Sequence, residues 1–135
     1  MKEAVLLVDD EAIILLALSR ELRLALGPGV RVETALNAAE AFSIIEDLER
    51  EGLFLRVAVS DWLMPGMRGD EFLIALRRRY PKVGLIMVTG QADDEAIDRV
   101  VKEAGVLACV RKPWRSAELL SLIRQSVADG CQAGA

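Results

Sequence analysis

The sequence contains no histidine among its 135 residues. Histidine is the usual acid or base near neutral pH and a common ligand of transition metals. Its absence excludes serine–histidine and cysteine–histidine nucleophile pairs, together with every metal site that depends on imidazole. The chain also cannot supply a phosphohistidine, so any phosphoryl group carried on histidine must come from a partner.

Cysteine and long apolar runs are also scarce. Cys109 and Cys131 are too few for a disulfide framework, which predicts a reduced, cytosolic protein. The first apolar run ends at Val8 and is too short for the core of a signal peptide. No run approaches the ~20 apolar residues of a membrane-spanning helix. We therefore expect no partnership with a membrane.

Excess positive charge is missing as well. The formal net charge is −4, which makes direct binding to nucleic acid a poor expectation. Apolar residues are abundant instead, at 53%, as in a parallel sheet covered by helices on both faces. The length suits a single domain, which we place at residues 1–128, followed by a disordered tail at 129–135.

Strand-like and helix-like segments alternate along the chain. The predicted strands cover 4–8, 30–34, 57–60, 85–88 and 106–110, and the predicted helices cover 11–26, 37–52, 70–80, 93–104 and 116–127. Asn37 followed by Glu40 is typical of a helix start. Five βα units with helical crossovers predict an α/β fold with a doubly wound parallel sheet, flavodoxin-like in its strand order 2-1-3-4-5.

Polar side chains follow four of these strands. They are Asp9, Asp10 and Glu11 after the first strand, Asp61 after the third, Thr89 after the fourth and Lys112 after the fifth. In a doubly wound sheet the functional crevice lies beyond the carboxyl ends of the strands. We therefore expect three aspartates, a hydroxyl and an ammonium group to converge at one edge of the fold.

Close carboxylates repel one another unless a cation binds between them, and oxygen ligands select a hard cation such as Mg²⁺. A strand-end aspartate is often only a loop residue or a helix cap, and we favour that interpretation for Asp9 or Asp10 taken singly. Lys112 alone is typical of a solvated strand end, and Thr89 alone is equally an ordinary strand residue. Their combination with Asp61 favours a functional site.

Four segments in order resemble one known family. They are Val8–Glu11, Ser60–Gly69, Val88–Gly90 and Arg111–Trp114. Over about residues 3 to 128, the chain resembles the receiver domain of two-component response regulators. The loop D-x-x-M-P-G-M-x-G, which starts at Asp61, is the most specific of the four segments.

The resemblance implies that Asp61 accepts a phosphoryl group in a His-to-Asp phosphorelay, from a sensor histidine kinase or a phosphotransfer protein. The implied roles are Mg²⁺ binding by Asp9, Asp10, Asp61 and the Leu63 carbonyl, and contact with the phosphoryl oxygens by Thr89 and Lys112. Phosphorylation would switch the face formed by the fourth helix, fifth strand and fifth helix. A downstream effector protein or domain, and a homodimer through that face, are further partners that the resemblance allows. Such a domain is cytoplasmic and is not an enzyme beyond self-catalysed transfer to and from Asp61.

One position departs from the family pattern. Receivers usually carry Tyr or Phe three residues before the lysine, and this sequence has Cys109. We interpret Cys109 as a small hydrophobic residue rather than a redox thiol. We expect Thr89 still to move on phosphorylation, with different repacking of the output face. Leu63 is apolar and would not orient an attacking water, so we expect slow loss of the phosphoryl group.

Two other functions stay open at this point. A small Mg²⁺-dependent aspartyl-phosphate phosphatase also uses strand-end aspartates, although such enzymes place two in one Asp-x-Asp loop and usually have a cap domain. The other alternative is a receiver-like binding module that is never phosphorylated. The intact set of Asp10, Asp61, Thr89 and Lys112 disfavours it.

Overall fold

The computed structural model describes residues 3–90, 94–111 and 116–133. The strands are β1 (Glu3–Val8), β2 (Val30–Ala35), β3 (Phe54–Asp61), β4 (Gly84–Thr89) and β5 (Ala108–Arg111). The helices are α1 (Ala12–Leu26), α2 (Ala38–Arg50), α3 (Gly69–Arg79), α4 (Asp94–Ala104) and α5 (Ser116–Ala133). All strands are parallel, in the order β2-β1-β3-β4-β5, which confirms the predicted fold.

Alternating side chains of the strands build two separate cores, one on each face of the sheet. In β1, Ala4, Leu6 and Val8 belong to the core shared with α2, α3 and α4. Val5 and Leu7 belong to the opposite core, which α1 and α5 complete. Because both faces of β1 are covered, the strand is apolar at every one of these positions, and none is more than 2% exposed.

Helix α2 begins as the sequence predicts. The Asn37 side chain is the N-cap and accepts a hydrogen bond of 2.8 Å from the backbone N–H of Glu40. The Glu40 carboxylate in turn accepts from the backbone N–H of Leu36, at 3.4 Å. These contacts satisfy N–H groups that have no partner inside the helix, which fixes where the helix starts.

Strand β3 begins at Phe54, three residues earlier than predicted. Arg56 interrupts the apolar pattern there, which is why the sequence places the start at Val57. In the structure Arg56 forms an ion pair of 2.9 Å with Glu3 of the neighbouring strand, and its guanidinium lies 4.4 Å from the centre of the Phe54 ring. A paired, stacked arginine is compatible with a strand position that its charge alone disfavours.

Helix α5 runs to Ala133 and β5 begins at Ala108, so both differ from the predicted bounds. Residues 129–133, which the sequence analysis assigns to the tail at 129–135, belong to α5 in the structure. Gly130 costs only about 1 kcal/mol relative to alanine in a helix interior, and no proline follows it. Among the described helices, none combines the length and apolar character that crossing a membrane requires.

Candidate functional site

Strand register brings the predicted site residues to one edge of the sheet. Val8, the last residue of β1, pairs with Ser60 of β3, so Asp9 leaves the sheet beside Asp61. Asp61 pairs with Val88 of β4, and Thr89 follows directly. The site is therefore assembled by three neighbouring strands and not by one loop.

The aspartates form a compact carboxylate cluster. Carboxylate oxygens of Asp9, Asp10 and Asp61 all lie within 4.8 Å of one another. Asp9 is fully buried and Asp61 is 7% exposed, whereas Asp10 faces solvent. The donor set is oxygen only and one side of it is open to water, and both properties suit a hard divalent cation such as Mg²⁺. The predicted metal ligands thus fit this ion.

The backbone fixes the position of Asp9. Its N–H donates to the carbonyl of Ala35, the last residue of β2, at 3.1 Å. Its Oδ1 accepts from the backbone N–H of Glu11, at 2.9 Å. The second bond holds the carboxylate over the start of α1, so that Asp9 orients the turn from which Asp10 projects. Asp9 therefore has a structural role in the cluster as well as its predicted role as a ligand.

A cleft of about 290 Å³ opens above the carboxylates. Its lining consists of Asp10, Glu11, Asp61, Trp62, Leu63, Thr89 and Gly90. Thr89 is buried at 4% exposure, while the Leu63 side chain is 49% exposed at the rim. Lys112 and Trp114, which belong to the last of the four family segments, lie outside the described residues. Lys112 directly follows Arg111, the β5 residue that pairs with Thr89.

The loop between Asp61 and α3 closes tightly on itself. The backbone N–H of Trp62 donates to the carbonyl of Val88 at 2.9 Å, and the N–H of Gly69 donates to the carbonyl of Trp62 at 2.7 Å. A Cβ atom on residue 69 would lie 2.0 Å from the carbonyl oxygen of Asp61. Glycine is thus required at position 69 by close backbone approach.

Three contributions to this site are not assigned from the sequence. They are the backbone of Glu11, the indole of Trp62 and the close contact of Gly69. The Trp62 Nε1 is buried and has no hydrogen-bond partner within the described part of the chain. The only sequence signal for Gly69 is its place in the Asp61 loop motif, and the close contact itself depends on tertiary geometry that spacing does not reveal.

Cys109 lies in β5, opposite Met87 of β4. It is half-buried and packs against the core beneath α2, α3 and α4. Desolvation by this burial raises the pKa of the Cys109 thiol. A raised pKa disfavours the thiolate, which supports the interpretation of Cys109 as a packing residue.

Comparison with known proteins agrees with this geometry. The sequence model of the response regulator receiver domain matches residues 5–124. The chain is 38% identical over 133 residues to the hydrogenase transcriptional regulatory protein HoxA of Cupriavidus necator, covering 95% of this chain and 25% of that protein. It is 34% identical over 125 residues to the response regulator protein FleR of Pseudomonas aeruginosa, covering 91% and 24%. The chain thus spans about a quarter of the length of these relatives.

Solved structures of similar proteins share the fold. A CheY-like response regulator receiver domain protein from Methanospirillum hungatei superposes with a TM-score of 0.83 at 29% identity, covering 98% of this chain and 99% of that one. The chemotaxis protein CheY4 of Vibrio cholerae superposes with a TM-score of 0.77, also at 29% identity, covering 93% and 99%. In all of these comparisons the likeness covers nearly the entire chain.

Proposed function

Because this chain belongs to the response regulator receiver domain family, we propose that Asp61 is the residue through which it acts as a switch in two-component signalling. The observation that carries the proposal is the cluster of Asp9, Asp10 and Asp61, whose carboxylate oxygens lie within 4.8 Å of one another in an open cleft. Asp61 is the last residue of β3, an interior strand of the sheet.

The proposed reaction is an in-line displacement at phosphorus. A carboxylate oxygen of Asp61 attacks the phosphorus of the donor while the bond to the leaving group breaks. The electron pair leaves with the imidazole of a phosphohistidine or with the acetate of acetyl phosphate. The product is an acyl phosphate on Asp61. Catalysis of this kind consists mainly of positioning and electrostatic stabilisation.

Mg²⁺ would be held by Asp9, Asp10 and Asp61, with the Leu63 carbonyl as a further proposed ligand. When bound, the ion neutralises the negative charge of the carboxylates and the phosphoryl oxygens. Thr89 contributes a hydroxyl donor within the same cleft. We assign Lys112 to the phosphoryl oxygens on the basis of its sequence motif, since an ammonium group pairs well with phosphate.

Incubation with acetyl phosphate and Mg²⁺, followed by intact mass, tests the chemistry. We expect a phosphate-sized mass gain that disappears after treatment with hydroxylamine, which cleaves acyl phosphates. Asp61→Asn should abolish the gain, while Asp47→Asn, at an exposed carboxylate of α2, should not change it. Removal of Mg²⁺ by a chelator should also prevent modification. An unmodified wild type, or modification of Asp61→Asn, would overturn the assignment.

The phosphatase alternative predicts a different result. A small phosphate ester such as p-nitrophenyl phosphate would be turned over many times by a phosphatase, whereas a receiver would retain a single phosphoryl group. The adjacent pair Asp9-Asp10 does not match the Asp-x-Asp loop of such enzymes. We therefore assign no catalytic activity beyond transfer to and from Asp61.

The phosphoryl donor is a histidine-bearing partner, because the chain has no histidine of its own. We propose a sensor histidine kinase or phosphotransfer protein that approaches across the start of α1. Ile13 and Leu16 lie in the first turns of α1, 83% and 52% exposed, shortly after the aspartate pair in sequence. An exposed apolar pair beside a reactive site is typical of a docking surface. A cytoplasmic location follows from the same proposal, because such donors act in the cytoplasm.

Output is proposed to pass through the α4-β5-α5 face. Val101 of α4 and Leu107 just before β5 are 50% and 56% exposed, so this face offers apolar area to an effector or to a second copy. The curated relatives are about four times as long as this chain, which supports an effector domain or protein as partner. Size-exclusion chromatography with and without phosphorylation would report dimerisation.

A further inference from the structure

Asp70 is a fully buried carboxylate that plays no part in the proposed phosphoryl transfer. It lies in the first turn of α3, one residue after Gly69, and its side chain has no exposure to solvent. A buried charge is costly unless it is paired. Its partners therefore reveal what holds it in place.

Two arginines from different segments lie beside Asp70. Arg99 of α4 donates through Nη2 to Oδ2 and forms an ion pair with it. Arg68, in the loop that begins at Asp61, places its Nε 3.4 Å from Oδ1 and its Nη2 3.5 Å from Oδ2. Oδ1 accepts no hydrogen bond from the described residues. Arg99 is thus the direct partner of Asp70, and Arg68 lies at the limit of hydrogen-bond distance.

Arg68 interacts with two carboxylates, those of Asp70 and Glu71, because its Nε also pairs with Glu71 at 3.1 Å. Arg99 is bound to Asp70 from another helix, with its side chain 42% exposed. A buried carboxylate and an accessible guanidinium therefore link the first turn of α3 to α4, while Arg77 links the other end of α3 to the carbonyl of Ala104, at 2.6 Å.

The packing of α4 makes this pair important. Two of its three buried residues, Ala96 and Ala104, are alanines, which bury little apolar area, while Val100 and the partly buried Ile97 supply the rest of the apolar contact. Removing one partner of a buried charged hydrogen bond is costly, because the other charge is left buried without its partner. The Asp70–Arg99 pair therefore adds to the attachment of α4.

Asp70 is also linked directly to the phosphoacceptor. Gly69 is packed against the Asp61 carbonyl with no room for a side chain, and its N–H is bonded to Trp62 at 2.7 Å. A displacement of the Asp61 backbone must therefore move Gly69, and Asp70 is the next residue in a rigid helical turn.

We propose that the Asp70–Arg99 ion pair couples the phosphoacceptor loop, residues 61–69, to α4. It acts as a positioning pair: Asp70 moves with the loop, and Arg99 transmits that movement to the output helix. The coupling role rests on the proposed function of Asp61, whereas the attachment of α4 by the pair does not.

Hydrogen exchange of residues 94–104, followed by mass spectrometry, tests the attachment. Asp70→Asn and Arg99→Gln should each speed the exchange of α4 about tenfold, because one partner of a buried pair is lost. The double variant should be no faster than the single variants, since both remove the same interaction. Arg78→Gln, at an exposed arginine of α3, is the matched control. Wild-type exchange in the single variants would overturn the proposal.

Mg²⁺ with beryllofluoride, a phosphoryl analogue, tests the coupling. In wild type, exchange should change in both the 61–69 loop and α4. In Arg99→Gln the loop should still respond and α4 should not, a separation that a merely structural role would not produce. Persistence of the α4 response would overturn the coupling. If Asp70→Asn does not fold, Arg99→Gln at the more accessible partner carries both tests.

Failure of the proposed function gives a distinct pattern. If wild type takes no phosphate and neither segment responds to beryllofluoride, the roles of Asp61 and of the coupling are both rejected. The basal exchange of α4 still decides whether Asp70 and Arg99 attach this helix, because that measurement needs no phosphoryl chemistry.

Discussion

Gly69 lies so close to Asp61 that a Cβ atom on residue 69 would be 2.0 Å from the Asp61 carbonyl oxygen. The contact is with backbone, so no side-chain rotation can relieve the overlap. The start of α3 and the end of β3 are thus in close backbone contact, and the position of Asp61, the proposed phosphoacceptor, depends on that contact.

Gly69→Ala should therefore damage both stability and phosphorylation. We expect a loss of about 2–3 kcal/mol in the free energy of unfolding, because backbone must shift. Acetyl phosphate should also modify Asp61 more slowly, as the carboxylate leaves its position. Urea unfolding and intact mass measure the two effects. Gly29→Ala is the matched control, since its Cβ would meet nothing within 4 Å. Equal behaviour of the two variants would contradict the prediction.

Leu63 should give the phosphorylated protein a long lifetime. Its side chain is 49% exposed at the rim of the cleft and has no group that can orient a water for attack. We expect a half-time of minutes or longer, and a shorter one in Leu63→Asn, whose amide can hold a water. Leu24→Asn, at an exposed position of α1, should leave the lifetime unchanged. A half-time of seconds in wild type would reject this role.

Ile13 should matter for transfer from a protein donor and not for transfer from a small one. Ile13→Glu is expected to slow transfer from a phosphorylated histidine-kinase domain about tenfold, because it places charge in an apolar contact. Modification by acetyl phosphate should be unaffected. Leu24→Glu, near the other end of α1 and 87% exposed, is the control. A uniform loss with both donors would instead indicate damage to the site.

Cys109 should react slowly with iodoacetamide. Burial raises its thiol pKa, so the thiolate fraction near neutral pH is smaller than that of a free cysteine, whose pKa is about 8.5. The alkylation rate should rise with pH and reach its midpoint above that value. A Cys131→Ser background isolates the signal, and denaturant should restore ordinary reactivity. Rapid alkylation in the folded protein would favour a reactive thiol.

Tyr80 provides a pH test of folding near the opposite edge of the sheet. Burial, followed by a hydrogen bond with Glu49, raises its pKa to about 12. The unfolded value is about 10, so the folded protein holds this proton more tightly. The stabilising contribution is complete below pH 10 and is lost as the pH rises towards 12.

The single tyrosine makes this titration direct, because the phenolate absorbance has one source. We expect a midpoint near 12 in the folded protein, near 10 in urea, and lower than wild type in Glu49→Gln. A folded midpoint near 10 would contradict the burial of the phenol.

Much of this fold is readable from sequence because its signals are local. Apolar runs alternate with helical periodicity, and Asn37 marks a helix start that the structure confirms. The carboxylate cluster is predictable for a related reason. Asp9 and Asp61 each terminate a parallel strand, and parallel strands place such ends at one edge of the sheet.

Other features depend on contacts between distant segments, which local patterns do not contain. Asp70 has the pattern of an ordinary acid in the first turn of a helix, and its ion pair with Arg99 forms only when α4 packs beside α3. Arg56 interrupts the apolar pattern at the start of β3, and its ion pair with Glu3 of β1 is not visible in the sequence. The end of α5 is misjudged because Gly130 is a weak helix breaker.

The anchoring of Asp61 has a consequence for kinetics. Its strand is paired with β1 on one side and with β4 on the other, which limits how far the Asp61 backbone can move towards a donor. The donor must therefore bring its phosphorus to the carboxylate of Asp61. The Asp61 carboxylate has the same position for acetyl phosphate and for the phosphohistidine of a protein donor. Specificity between signalling pathways must then arise from the docking surface around the cleft. The chemical step at Asp61 is the same for every donor.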